Sequence, residues 1–137
     1  MSFYRIVNCE EIKKALKIGY WSPSDRDQEP YKAGEVIFIF EFQDSNKMIK
    51  KYGSTIANNR DEKDKIYILI FDINKDDVEI DESQSGWPES RVYRGFVDFD
   101  KIQCIGYCNV ICSNPGNYRV SELTFYDKYK PIEVVCE

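Results

Sequence analysis

One segment limits the fold more than any other: the apolar run from Ile66 to Ile73, broken only at Asp72. It is too short to cross a membrane as a helix and too unbroken for a strand with one face in water. It reads as a strand covered on both sides, so the rest of the chain must supply material for two faces. An acidic loop, Asp76 to Glu82, follows it. Next come a Gly86-Trp87-Pro88 corner and a second strand carrying Arg91, Tyr93 and Arg94. A buried strand that delivers acids, a tryptophan and arginines to one corner is a natural place for a site.

The chain has 137 residues, which predicts one domain over 1–137 with a core large enough to stand without cross-links. Aromatic residues make up 15% of it, and that load favours strands and excludes a disordered chain. The net charge of −5 leaves no global basic footprint of the kind that duplex nucleic acid selects, so direct nucleic-acid binding is not expected. No leader-like or membrane-spanning segment is read, and a cytoplasmic, soluble protein is expected. Five cysteines in such a setting read as reduced thiols. The chain contains no histidine. That removes Ser-His-Asp and Cys-His nucleophile systems, and any histidine base or metal ligand. Chemistry must then fall to carboxylates, Arg, Lys, Tyr, Ser or Cys.

In chain order, Ser2–Val7 reads as a first strand. Asn8 and Glu11 form a capping-box pattern for a helix that stops at Gly19. The segment Tyr20 to Gly34 is a long loop with Trp21, Arg26 and Tyr31 as candidate contacts. A strand is predicted over Glu35–Phe42, with Val36, Phe38, Phe40 and Phe42 on one face. A brief helix, Ser45–Tyr52, should end at Gly53, followed by a polar loop to Asp64. After Arg94, strands are expected at Ile102–Cys112, at Tyr118–Tyr126 after the Ser113–Asn117 turn, and at Ile132–Cys136 after a turn at Lys128–Pro131. The expected architecture is α+β: two short helices packed on a mainly antiparallel, split or strongly curved sheet of six to seven strands.

Cys104, Cys108 and Cys112 share strand parity and would spread along one face, too far apart for one zinc ion. The acids Asp76, Asp77, Glu79, Asp81 and Glu82 lack the glycine and distal glutamate of an EF-hand, so no metal is expected there. Arg5, in the middle of an apolar strand, either faces solvent or points into a cleft where it can grip phosphate. Asp72, Glu79 and Lys101 are the only candidates for a carboxylate-based nuclease. Glycine-rich phosphate loops are absent.

The order of these features resembles the ADP-ribosyltransferase fold, and the layout from Ile66-Tyr67 through Asp76-Asp77, Gly86-Trp87-Pro88-Glu89-Ser90 and Tyr93-Arg94 is similar to the small rifamycin-type ADP-ribosyltransferases. The resemblance covers about Ser2 to Gly106. Phe3-Tyr4-Arg5-Ile6-Val7 before a helix matches the strand that orients NAD, with Arg5 in the orienting position. Val36–Phe42 followed by a short helix matches the aromatic strand, where Phe38 or Phe40 takes a position more often held by Tyr. The resemblance implies that NAD is bound by Arg5, Trp21, Phe38 and Phe40. It also implies that one carboxylate among Asp81, Glu82 and Glu89 stabilises the oxocarbenium-like state as nicotinamide leaves, with ADP-ribose passing to a macromolecular or small-molecule target. The alternative expectation is a non-catalytic acidic interaction module, of viral or mobile-element type, that binds and modulates a host protein.

Overall fold

In the computed structural model, which describes residues 1–83, 87–114 and 116–136, the apolar run lies inside the sheet, as its composition demands. Gly86 of the corner and Pro115 of the later turn lie outside the described residues. The elements in order are β1 (Ser2–Val7), α1 (Cys9–Ile18), β2 (Val36–Phe42), α2 (Ser45–Met48), a π-helical turn (Ile49–Gly53) and α3 (Ser54–Asn59). There follow β3 (Lys65–Phe71), β4 (Val78–Ile80), β5 (Ser90–Arg94), β6 (Ile102–Asn114), β7 (Asn117–Val120) and β8 (Thr124–Pro131). The strands form one open sheet in the order β4-β5-β2-β1-β3-β6-β7, with β8 also on β6, and every pairing is antiparallel. The α+β architecture expected from the sequence is present, with eight strands among the described residues instead of six or seven.

Strand alternation sorts the side chains onto two faces. Phe3, Val7, Ile37, Ile39, Leu69 and Phe71 pack with Ile12 and Ala15 of α1. Tyr4, Ile6, Phe40, Phe42, Ile66 and Ile68 pack with Met48, Ile49, Tyr52 and Ile56 from the second helical arm. Each helical arm thus covers one side of β3, which is why that strand needs no polar face. The α1 boundaries follow the sequence closely: Asn8 Oδ1 accepts from the Glu11 amide at 2.9 Å, and Gly19 ends the helix at φ 94°.

Four local expectations are corrected. Gly53 does not end the second helix. It lies in the π-helical turn, where an added Cβ would stand 2.8 Å from Val120 Cγ2, and the helix resumes to bury Ile56 and Ala57 where a polar loop was expected. Part of the acidic loop is the short strand β4, paired with β5. The turn expected at Lys128–Pro131 is strand, and Ile132–Val134 is a 3-10 turn that buries Ile132. Finally, Cys9 and Cys136 form a disulfide, leaving Cys104, Cys108 and Cys112 free. Its partners are 127 residues apart in sequence, and only the folded sheet brings their Cα atoms to 5.7 Å.

The cysteine ladder does not hold one face either. Ile68 pairs with Gly106 but Leu69 pairs with Cys104, so Ile105 is the extra residue of a β-bulge. The bulge flips parity: Cys104 packs with Leu69 on the α1 side and Cys108 with Ile66 and Ile68 on the other. Gly106 at the bulge is obligatory, because a Cβ there would meet the Thr124 carbonyl oxygen of β8 at 2.1 Å.

Candidate active site

The sheet is continuous except between β1 and β2. Their pairing covers only Ser2–Tyr4 against Phe40–Phe42, while β1 stays on β3 through Val7. Beyond Tyr4 the two strands part, and their inner edges would be left with unpaired carbonyls. Side chains fill the gap. Arg5 Nη1 donates to the Phe38 carbonyl oxygen at 2.8 Å, and Arg60 Nη1 to that of Ile6 at 2.9 Å. Both arginines also hold Glu11, one on each carboxylate oxygen, at 3.0 Å. Glu11 was expected to close a capping box with its side chain. It keeps only the amide half of that motif, because its carboxylate is committed to the two guanidiniums. Burial pulls Arg60 below the ordinary arginine range, with Arg5 adding repulsion and Glu11 opposing it.

A cleft of about 750 Å³ opens at this split, a size that suits a small-molecule ligand. Arg5, Trp21, Phe38, Phe40 and Asp81, five of the seven residues singled out in the sequence, line it. The loop Tyr20–Gly34 forms one bank: Trp21 pairs with Val97 by backbone, and Ser22 to Arg26 line the cavity. Trp21 and Tyr31 are themselves turned inward. Trp21 lies edge-on to Phe71 with the Arg5 guanidinium 5.9 Å over its ring, and Tyr31 packs on Val36 and Val92.

The three candidate acids separate. Asp81 lines the cleft, accepting from the Ser90 hydroxyl at 2.6 Å and the Ser83 amide at 2.8 Å. Glu82 is exposed, and its amide donates to the Tyr31 hydroxyl at 2.9 Å. Glu89 takes a salt bridge from Lys51 at 2.6 Å and a hydrogen bond from the Tyr52 hydroxyl. Desolvation pushes Glu89 up, but those donors outweigh it and hold the carboxyl below its usual range, while burial and Glu89 together push Tyr52 well above its own. Neither Glu82 nor Glu89 lines the cleft. Of the nuclease candidates, Asp72 meets Lys101 through backbone alone, and Glu79 pairs with Arg94 at 2.8 Å.

Among the other residues that line the cleft are Trp87, Ser90, Glu11 and Arg60, none of them assigned a ligand or catalytic role from the sequence. Trp87 stacks on Tyr52 at 4.9 Å and on Phe40 at 5.5 Å, and Phe40 stacks on Tyr52 at 4.9 Å, so the three rings form one cluster in which the half-buried indole is more open than the buried Phe40. The Gly-Trp-Pro corner was the signal for it. Arg60 carried none, being one cation in a polar stretch. One atom in the cleft wall stays unsatisfied: Arg5 Nε is buried without a hydrogen-bond partner among the described residues.

Among the described residues no group of three or more Cys, Asp or Glu is placed to hold a metal ion, and no helix is long and apolar enough to cross a membrane. The chain matches no protein family, no curated protein and no solved structure.

Proposed function

We propose that this chain binds NAD in the cleft at the β1–β2 split and acts as an ADP-ribosyltransferase-like protein, passing ADP-ribose to a macromolecular or small-molecule target. One observation carries the reading: Arg5, Trp21, Phe38, Phe40 and Asp81, drawn from four separate stretches of chain, line a single cavity of suitable size. The Arg5 guanidinium in the cleft wall supports it, because that group is suited to holding a phosphate or ribose oxygen. Arg60, Arg26 and Lys14 add further cations to the cleft lining. Asp81 is the acid assigned to the reacting ribose, because it alone of the three candidates lines the cavity, and Ser90 orients its carboxylate. Bound NAD supplies the scissile glycosidic bond, and the chain supplies placement and charge.

Melting curves with and without millimolar NAD test the binding, and release of nicotinamide tests the chemistry. A rise in melting temperature that is abolished in Arg5→Lys supports the reading. The absence of any shift overturns it.

A second reading, a non-catalytic module that docks on a partner protein, draws on apolar side chains left in water at Ile80, Phe96, Phe125 and Tyr129. Copurification of a stoichiometric partner without nicotinamide release would favour it.

A further inference from the structure

On the α1 side of the sheet, away from the split, three tyrosines from adjacent strands form a row. Tyr67 of β3 faces Tyr107 of β6 with ring centres 6.4 Å apart, and Tyr107 faces Tyr126 of β8 at 6.0 Å. All three are half-buried, and none lines the cleft. Tyr67 and Tyr126 rest on the core while part of each ring stays accessible. Two ammonium groups lie over the row: Lys65 Nζ is 4.6 Å from the Tyr107 ring centre and Lys130 Nζ is 5.3 Å from that of Tyr126. Lys128, exposed, stands two residues before Lys130 in β8 and adds a third cation to that edge.

We infer that this row is a binding platform for a single-stranded nucleic acid, with bases stacked on Tyr67, Tyr107 and Tyr126 and phosphates held by Lys65, Lys128 and Lys130. Three aromatic rings in a line across three strands, with lysines over them, bring aromatic faces and cations together. Stacking platforms for unpaired bases combine those two features, and this sheet face presents them at intervals a flexible strand can follow, neighbouring rings tilted by 54° and 49°. An exposed cation over a tyrosine is a weaker contact than a base stacked on it. A lysine can therefore leave the ring for a phosphate and free the ring for a base. The overall charge of −5 opposes duplex DNA, whose charge density is high, more than a short single strand on one local patch. Asp64 lies near Tyr67 and marks the acidic border of the platform at that end.

The test is fluorescence anisotropy with a labelled oligothymidylate of about fifteen nucleotides at about 50 mM salt, with a duplex of equal length as competitor. The expected result is binding that weakens with salt at a log–log slope of about −2, for three phosphate contacts on a single strand. The duplex should compete poorly. Lys128→Glu with Lys130→Glu, both at exposed positions, should lower affinity at least about tenfold. Tyr107→Phe should bind like the parent and Tyr107→Leu should bind weakly, with unchanged circular dichroism in both. No anisotropy change overturns the inference. So does equal competition by duplex, or binding that ignores both the lysine and the tyrosine substitutions. Loss of NAD binding leaves these readouts untouched, because no platform residue lines the cleft.

Discussion

Arg5 donates to the backbone carbonyl of Phe38 at 2.8 Å, and in doing so a side chain takes the place of a ladder hydrogen bond where β1 and β2 part. The same guanidinium grips Glu11 at 3.0 Å, so strand, strand and helix meet at one residue. The arginine that would hold a ligand is also the one that holds the sheet open around it.

Arg5→Lys should therefore destabilise the fold as well as weaken ligand binding. A single ammonium cannot serve Phe38 and Glu11 in the fixed fork geometry of a guanidinium. Loss of about 1.5–3 kcal/mol is expected in urea unfolding, the range for hydrogen bonds to charged groups. Glu11→Gln should fall in the same range, since it leaves Arg5 and Arg60 in mutual repulsion, and added salt should recover part of the loss.

Asp81 and Glu89 should give opposite results. Asp81→Asn is expected to abolish nicotinamide release with a shift in unfolding free energy of only about 1 kcal/mol, because the amide oxygen can still accept from the Ser83 amide while the Ser90 hydroxyl turns to accept from the new NH2. Glu89→Gln should keep NAD binding and lose stability, because it strips Lys51 and Tyr52 of their carboxylate. Melting curves set beside a nicotinamide assay separate the two. Equal losses of release in both variants would remove Asp81 from its assigned place.

Much of this arrangement is legible in the residues. Asn8 and Gly19 bracket α1 because capping is local chemistry, and Ile66–Phe71 reads as a covered strand because periodicity is local too. The bulge at Ile105 is not legible: it depends on Gly106 meeting Thr124 across the sheet, and it overturns any parity count along β6. Choosing among Asp81, Glu82 and Glu89 likewise required knowing that Ser90, Lys51, Tyr52 and Tyr31 lie beside them. Those neighbours come from distant parts of the chain. The split itself was expected only as one option for the sheet, since nothing in Arg5 or Phe38 alone says that their strands diverge.

The three free thiols should behave unequally. Cys112 is exposed and should react with a maleimide at once in the native protein, while Cys104 and Cys108 should react only after unfolding. Burial pushes both buried thiols from 9.0 up to about 11. The folded state then holds these protons more tightly than the unfolded chain. Their contribution is complete below pH 9.0 and falls away as the pH rises toward about 11, by roughly 2–3 kcal/mol for each thiol. Urea midpoints measured across that window should decline, and less so in Cys108→Ala.

Reduction of Cys9–Cys136 should lower stability more than any surface substitution. The bridge spans 127 residues, a loop for which the chain-entropy account gives roughly 5 kcal/mol. Cys136→Ser should reproduce the effect of a reductant, and a reductant should then add nothing further.

That bridge also gives the molecule a different topology from an ordinary chain. With Cys9 and Cys136 joined, the polypeptide between them is a closed ring. A protease that cuts once within Tyr20–Gly34 opens the ring without releasing a fragment, so the nicked protein keeps its mass until a reductant is added. A machine that unfolds proteins by pulling one end through a pore would draw in a doubled strand, not a single one, as soon as the bridge reached the entrance. Until the bond is reduced, the fold can be opened but not unthreaded.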